Sequence, residues 1–461
     1  MSAAPPTVAQ QLARWSVSRM WDDLTEKVRD RLRIAILDSI GCAIGGLGGA
    51  PVRALSGYLA EVGGAGRATL IGGGRTSADR AALVNGAAVR YLDFNDTFAA
   101  KGESCHPSDN LAPVLAAAEL ADASGRDLLV ALAVAYQVQC RLSEVAPVRA
   151  RGFDHTVLGM LGMAAGAARA RGVDAETAAA ALEITGTAFN ALRVTRTGRL
   201  SHWKGMAAPN AAFGALHALS LAVSGITGPD EMFEGNKGLM DSITGPFRVA
   251  WDDEPLDRVL RCSIKKHNAE FHSQSAIDAA LRVRAARGFD ASGIRRVRVE
   301  TFATGFHIIG GGEEGDKKLV RTKEDADHSL PYIVSAALLD GEVTPRQYLP
   351  DRMSRSDILE LLQLTDVVLN EEFSARFPDE MPATVTVEQG DGTVLTATTT
   401  GYHGFHTDAF GWDDACQKFD VLTEGLIDET LRTALVDAVD ELSERPVSDL
   451  TALLARVPRE P

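Results

Sequence analysis

"ATVTVEQGDGTVLTATTTG", residues 383–401, alternates β-branched and polar residues on both sides of a Gly-Asp-Gly turn. That alternation, with a turn able to supply positive φ, reads as two strands of a hairpin. Upstream, "IRRVRVETF" (294–302) alternates in the same way. Almost everything before Cys262 reads differently. "DRLRIAILDSIGCAIGGL" (30–47) and "DLLVALAVAYQVQCRLSEVA" (127–146) are alanine-rich, with apolar residues at helical spacing and breaks at Gly, Pro, Asn and Asp. Many such segments are small-residue-rich all round, as helices buried on most sides are.

The expectation is a mainly α chain: a helical domain over 1–262, a smaller α+β domain over 263–401, and C-terminal helices over 402–461. "DDACQKFDVLTEGLI" (413–427) and "ETLRTALVDAVDELSE" (429–444) suit helices that complete the first domain. Within the α+β stretch, "SLPYIVSAALLDG" (329–341) and "RSDILELLQLTDVVL" (355–369) read as helical. A chain of 461 residues exceeds what one core usually serves, which agrees with two domains. No internal repeat or low-complexity linker stands out.

The formal net charge is −15, which argues against nucleic acid or an anionic membrane as the main partner. No run approaches the roughly 18 unbroken apolar residues of a membrane span, and "MSAAPPTVAQQLARW" puts proline and polar residues where a leader needs its apolar core. The expected location is cytoplasmic. Five cysteines, widely spaced and never in C-x-x-C form, suggest neither a disulfide framework nor a zinc site. Cys105, next to His106, reads as a small loop-filling residue before it reads as a nucleophile. The glycine runs "IGGGRTS" (71–77) and "IGGGEEGDKK" (309–318) lack the phosphate-binding loop's Gly-Lys-Ser/Thr and read as flexible turns. No G-x-S-x-G is present.

Chemistry concentrates in five places. "YLDFNDTFAAKGESCHPSDN" (91–110) gathers Asp93, Asn95, Asp96, Thr97, Lys101 and His106. Asp93 and Thr97, four apart, would share a face if the preceding helix ran that far. Ser108 and Asp109 read as helix-start residues. "RARGFDH" (149–155) puts His155 just before a Gly/Ala-rich helix, as a cap or a cleft residue. "NALRVTRTGRLSHWKG" (190–205) brings Arg193, Arg196, Arg199, His202 and Lys204 together, a group suited to carboxylates. "SIKKHNAEFHSQSA" (263–276) adds Lys265, Lys266, His267, Glu270 and His272; the spacing does not match H-E-x-x-H, so zinc is rejected. "ADHSLPY" (326–332) offers Asp327, His328 and Tyr332, the last two on one helical face unless Pro331 marks the helix's first turn.

In this order the five blocks resemble the MmgE/PrpD family, over about residues 30–420. The resemblance implies a helical domain built from both chain ends, an inserted α+β lid, an active site in the cleft between them, and a homodimer. It implies a cofactor-free, metal-free dehydratase of a small tricarboxylic acid, 2-methylcitrate to 2-methylaconitate. Alternatives within the enzyme class are a decarboxylase or epimerase of a related polycarboxylate such as cis-aconitate, or a dehydratase of another 2-alkylcitrate; a silent binding protein is the alternative outside it. Carried over block by block, Asp93, His106, His155 and Tyr332 take catalytic roles. Thr97, Lys101, Arg193, Arg196, Lys204, Lys265, Lys266 and His328 take substrate-binding roles. Glu270 and the Trp-Lys-Gly lysine are similar to the dehydratase branch and not to the decarboxylases. The chain departs from the pattern at His202, at His267-Asn268, in a loop lengthened around Cys105, and in "GYHGFHTDAFGW" (401–412).

Overall fold

A computed structural model describes residues 5–459; the outermost residues of the expected helical domain, 1–4 and 460–461, lie outside them. The described chain is mainly helical with small sheets. It divides into two units. The first comprises the chain up to Thr195, Gly205–Ile264 and the chain from Phe410 onward; the second comprises Arg196–Lys204 and Lys265–Ala409. Arg196–Lys204, read from sequence as part of the helical domain, groups with the second unit.

Local signals start the helices of the first unit. The Thr25, Ser124 and Asp174 side chains accept the backbone N–H groups of Val28, Asp127 and Thr177, capping helices Glu26–Gly46, Gly125–Val145 and Ala175–Ala188. Helix Thr156–Arg171 is closed by Gly172 in the left-handed region at φ 68°. Its glycines set how closely it packs on Gly125–Val145. A methyl group at Gly166 would sit 2.7 Å from the Ala135 Cβ and 2.8 Å from the Ala131 carbonyl oxygen. Small residues here bring two backbones together, in a helix whose N-cap residue is His155.

Neither Gly125–Val145 nor Trp203–Val223 is an unbroken apolar run, yet both are long and apolar enough on average to cross a membrane, with mean hydropathy 1.3 over their most apolar windows. Their most apolar windows are 83% and 67% buried inside the protein, so core packing accounts for much of that apolarity.

The second unit is built on a four-stranded sheet in the order Thr365–Leu369, Ile294–Thr301, Ala383–Gln389, Val394–Thr399. The first pair is parallel and the others antiparallel. The hairpin at 383–399 forms with Ala383 opposite Thr399 and Val387 opposite Leu395. Ala383, Val385 and Val387 are buried with helices Gln274–Arg284 and Leu330–Asp340, while the Thr384 and Thr386 hydroxyls pair with those of Thr398 and Thr396 on the outer face. "TDVVL", read as the end of a helix, is a strand instead. Helix Ser356–Leu364 stops before it, and the β-branched residues pair in parallel with Val297–Thr301.

Candidate active site

Helix Ala78–Tyr91 ends before the first acid, so Asp93 and Thr97 do not share a helical face. Asp93 lies at φ 54°, a left-handed conformation that a non-glycine residue adopts at a cost. Arg90 holds it there, its Nη1 donating to Asp93 Oδ1 at 2.7 Å and to Asn95 Oδ1 at 2.9 Å, while its Nε lies 3.8 Å from Asp109. Beyond Asp96 the chain forms a short hairpin, Phe98–Ala100 with Glu103–Cys105, where the sequence suggested only a loop. Lys101 sits exposed at the hairpin's turn.

The hairpin returns the chain so that His106 meets Thr97 and Asp96. His106 Nδ1 is 2.8 Å from the Asp96 carbonyl and 3.2 Å from Thr97 Oγ1. A carbonyl can only accept, so Nδ1 carries the hydrogen and a neutral ring has its lone pair on Nε2. The His155 ring lies edge-on to His106, with centroids 5.4 Å apart. His155 is buried and begins helix Thr156–Arg171. Thr97 is pinned in turn by two 2.8 Å backbone hydrogen bonds exchanged with Ser263.

Asp96 itself points the other way. Its carboxylate accepts from the Ser108 N–H and the Tyr136 hydroxyl, each at 2.9 Å. Burial raises its pKa, those hydrogen bonds oppose the rise, Asp38 adds to it, and the balance stands at about 6. Ser108 also accepts from Asn95 Nδ2 at 2.9 Å, so it staples this segment and does not cap the following helix. Cys105 is buried at the end of the hairpin's second strand and accepts from Ser143 Oγ. Arg193 is half-buried, with its charge near the buried carboxyl of Glu103.

The second unit also carries a buried polar cluster. Asp327, fully buried, accepts from Lys204 Nζ at 3.1 Å, from His328 Nδ1 at 2.7 Å, and pairs with Lys323 at 2.6 Å. Burial pushes its pKa up, but these cations outweigh it and hold the carboxyl well below the ordinary range. Lys204 Nζ is also 2.9 Å from His328 Nδ1. Arg196 is buried and donates to the Lys204 carbonyl, and Lys265 is completely buried.

Three further residues belong to this second cluster and were not assigned roles from the sequence. Glu270 donates its backbone N–H to the Asp327 carbonyl at 3.0 Å, and His272 pairs with the Glu270 carboxylate at 2.7 Å. Burial would raise Glu270, but His272, His328 and Lys265 pull it down to about 2. Lys317 is lowered mainly by burial, with Lys204 adding to the effect and Glu314 and Glu270 opposing it.

Not every expected residue joins these groups. Lys266 and His267 both turn to Asp278, at 3.0 and 2.8 Å, which neutralises the lysine. Tyr332 needs correction. Helix Leu330–Asp340 starts with Pro331 in its first turn, and Tyr332 is fully buried in the hydrophobic core of the second unit, its hydroxyl donating to the Gln347 carbonyl. Its hydroxyl is therefore committed to a core hydrogen bond. His202 is exposed.

A helical unit interrupted in sequence by an α+β unit, each with a buried polar cluster, defines the class of chain to which comparison can be made. The MmgE/PrpD N-terminal domain matches residues 10–252 and the MmgE/PrpD C-terminal domain matches residues 267–443. The chain belongs to the MmgE/PrpD family. Relatives include cis-aconitate decarboxylase of Mus musculus, 26% identical over 94% of this chain and 90% of the relative. The 2-methylcitrate dehydratase of Escherichia coli K12 is 28% identical over 80% of each chain. The mitochondrial 2-methylcitrate dehydratase of Yarrowia lipolytica is 25% identical over 86% of this chain and 81% of its own. All three are enzymes.

Proposed function

We propose that the chain is a hydro-lyase that dehydrates 2-methylcitrate to 2-methylaconitate without metal or organic cofactor. The observation that carries this reading is the His106–His155 pair, two rings 5.4 Å apart with the Nδ1 of His106 anchored on a carbonyl. Dehydration of a 3-hydroxy acid removes a weakly acidic proton beside a carboxylate while hydroxide leaves. Two imidazoles can serve as base and acid for those steps. Asp93 and Thr97 contribute orientation. Arg196, Lys204, Lys265 and His328 supply the charge that substrate carboxylates need once they leave water. The names of the bacterial and yeast relatives support the choice of substrate.

A second reading, decarboxylation of cis-aconitate, is favoured by the mouse relative, whose similarity spans 94% of this chain. Proton NMR of EDTA-treated protein, incubated separately with 2-methylcitrate stereoisomers, citrate and cis-aconitate, distinguishes the two. Signals of 2-methylaconitate without loss of carbon dioxide support the dehydratase. Carbon dioxide release from cis-aconitate supports the decarboxylase, and no change in any tube overturns both.

A further inference from the structure

In the second unit, one carboxylate is gripped twice by one residue. Glu270 Oε2 accepts the backbone N–H of His272 at 2.7 Å, and Oε1 accepts His272 Nδ1 at 2.7 Å. His272 is 2% exposed, and the rings of Phe271, Phe302 and Phe377 lie around its imidazole at centroid distances of 5.2, 5.6 and 5.6 Å. Its Nε2 is buried and makes no hydrogen bond among the described residues. The aromatic cage bars that nitrogen from exchanging protons with a ligand, so the hydrogen bonds of His272 end on Glu270.

Glu270 itself is not sealed: it is 8% exposed, and its backbone is tied to the segment of Asp327 and His328. An ionised carboxylate accepts only, and each of its oxygens has a second lone pair beyond the one His272 uses. The neighbouring cations suit a ligand's carboxylates. Glu270 suits the opposite, a donor.

We propose that Glu270 reads the hydroxyl of a hydroxytricarboxylate, and that His272 is the positioning residue that aims it. This rests on the polycarboxylate reading above and deepens it. A ligand carrying the same carboxylates without the hydroxyl leaves the remaining Glu270 lone pairs without a ligand donor, and a site built to bond a hydroxyl rejects such an analogue strongly.

The test is calorimetric titration of the full-length protein with citrate and with tricarballylate, its deoxy analogue, for wild type, Glu270→Gln and His272→Asn. Wild type is expected to favour citrate by roughly 10–100-fold, the worth of a hydrogen bond to a charged group. Glu270→Gln brings the two affinities within about threefold by weakening citrate while tricarballylate holds or tightens. His272→Asn, whose amide can replace the Nδ1–H, keeps part of the preference. Should Glu270→Gln fail to fold, the His272→Asn ratio decides alone. Equal weakening of both acids, or a wild-type ratio near one, overturns the assignment. Binding of neither acid by wild type overturns the polycarboxylate reading, and this inference with it.

Discussion

Lys418 and Phe94 join ends of the first unit that lie 324 residues apart in sequence: the Lys418 ammonium donates to the Phe94 carbonyl at 2.7 Å and rests 3.9 Å from the Phe94 ring centre. The same ammonium pairs with buried Asp38 at 2.6 Å. A cation from helix Trp412–Thr423 therefore fixes the peptide between Asp93 and Asn95. Lys418→Met leaves Asp38 without that cation, and losing one partner of a buried pair costs about 3–5 kcal/mol. Urea unfolding of the two proteins side by side should show that loss; a change below about 1 kcal/mol would mean the pair holds nothing in place.

Asp96 gives the fold a pH signature. Its pKa is raised from 3.8 to about 6 in the folded chain, so the native state binds the proton more tightly than the unfolded one. The stability it contributes is complete below pH 3.8 and is lost as pH rises through about 6, a difference of about 3 kcal/mol. Asp96→Asn cannot ionise. Relative to wild type, the variant should gain stability between pH 4 and 7, read from denaturation midpoints at several pH values. A gap that stays constant with pH would show that Asp96 does not titrate in this range.

Some of this was legible in the sequence and some was not, for physical reasons. Capping residues such as Thr25 and Ser124, and the Gly-Asp-Gly turn, act over a few residues and announce themselves. "TDVVL" misled because its strand character comes from pairing with a strand some seventy residues earlier. Periodicity placed His328 and Tyr332 together, but Pro331 sets the helix start, so the tyrosine turns into the core. The five polar blocks were found from residue type alone. The bond from Lys418 to Phe94 is nonlocal and left no local signal, whereas Glu270 and His272 stand two apart in plain sight and were read as a rejected metal motif and, for Glu270, a mark of the dehydratase branch, not as a pair.

The two histidines of the first unit carry the proposed proton transfers. His106→Gln and His155→Gln should each lower turnover of 2-methylcitrate by on the order of 10²–10⁴, with circular dichroism and melting temperature close to wild type. Wild-type turnover in a folded His155→Gln protein would remove that ring from the mechanism and leave His106 with another partner.

Tyr332 offers the complementary case, a residue whose resemblance-based role and whose position disagree. A tyrosine acting as proton donor would lose most of its activity as phenylalanine. The observed tyrosine instead spends its hydroxyl on the Gln347 carbonyl inside a hydrophobic core, and burial pushes its pKa well above the ordinary value, further from proton transfer. Tyr332→Phe should therefore leave kcat within about threefold of wild type while costing about 1 kcal/mol of stability from the unmade hydrogen bond. Turnover and unfolding measured on one preparation separate the two accounts. A hundredfold fall in kcat with unchanged stability would return Tyr332 to the catalytic group and would require the start of helix Leu330–Asp340 to rearrange during turnover.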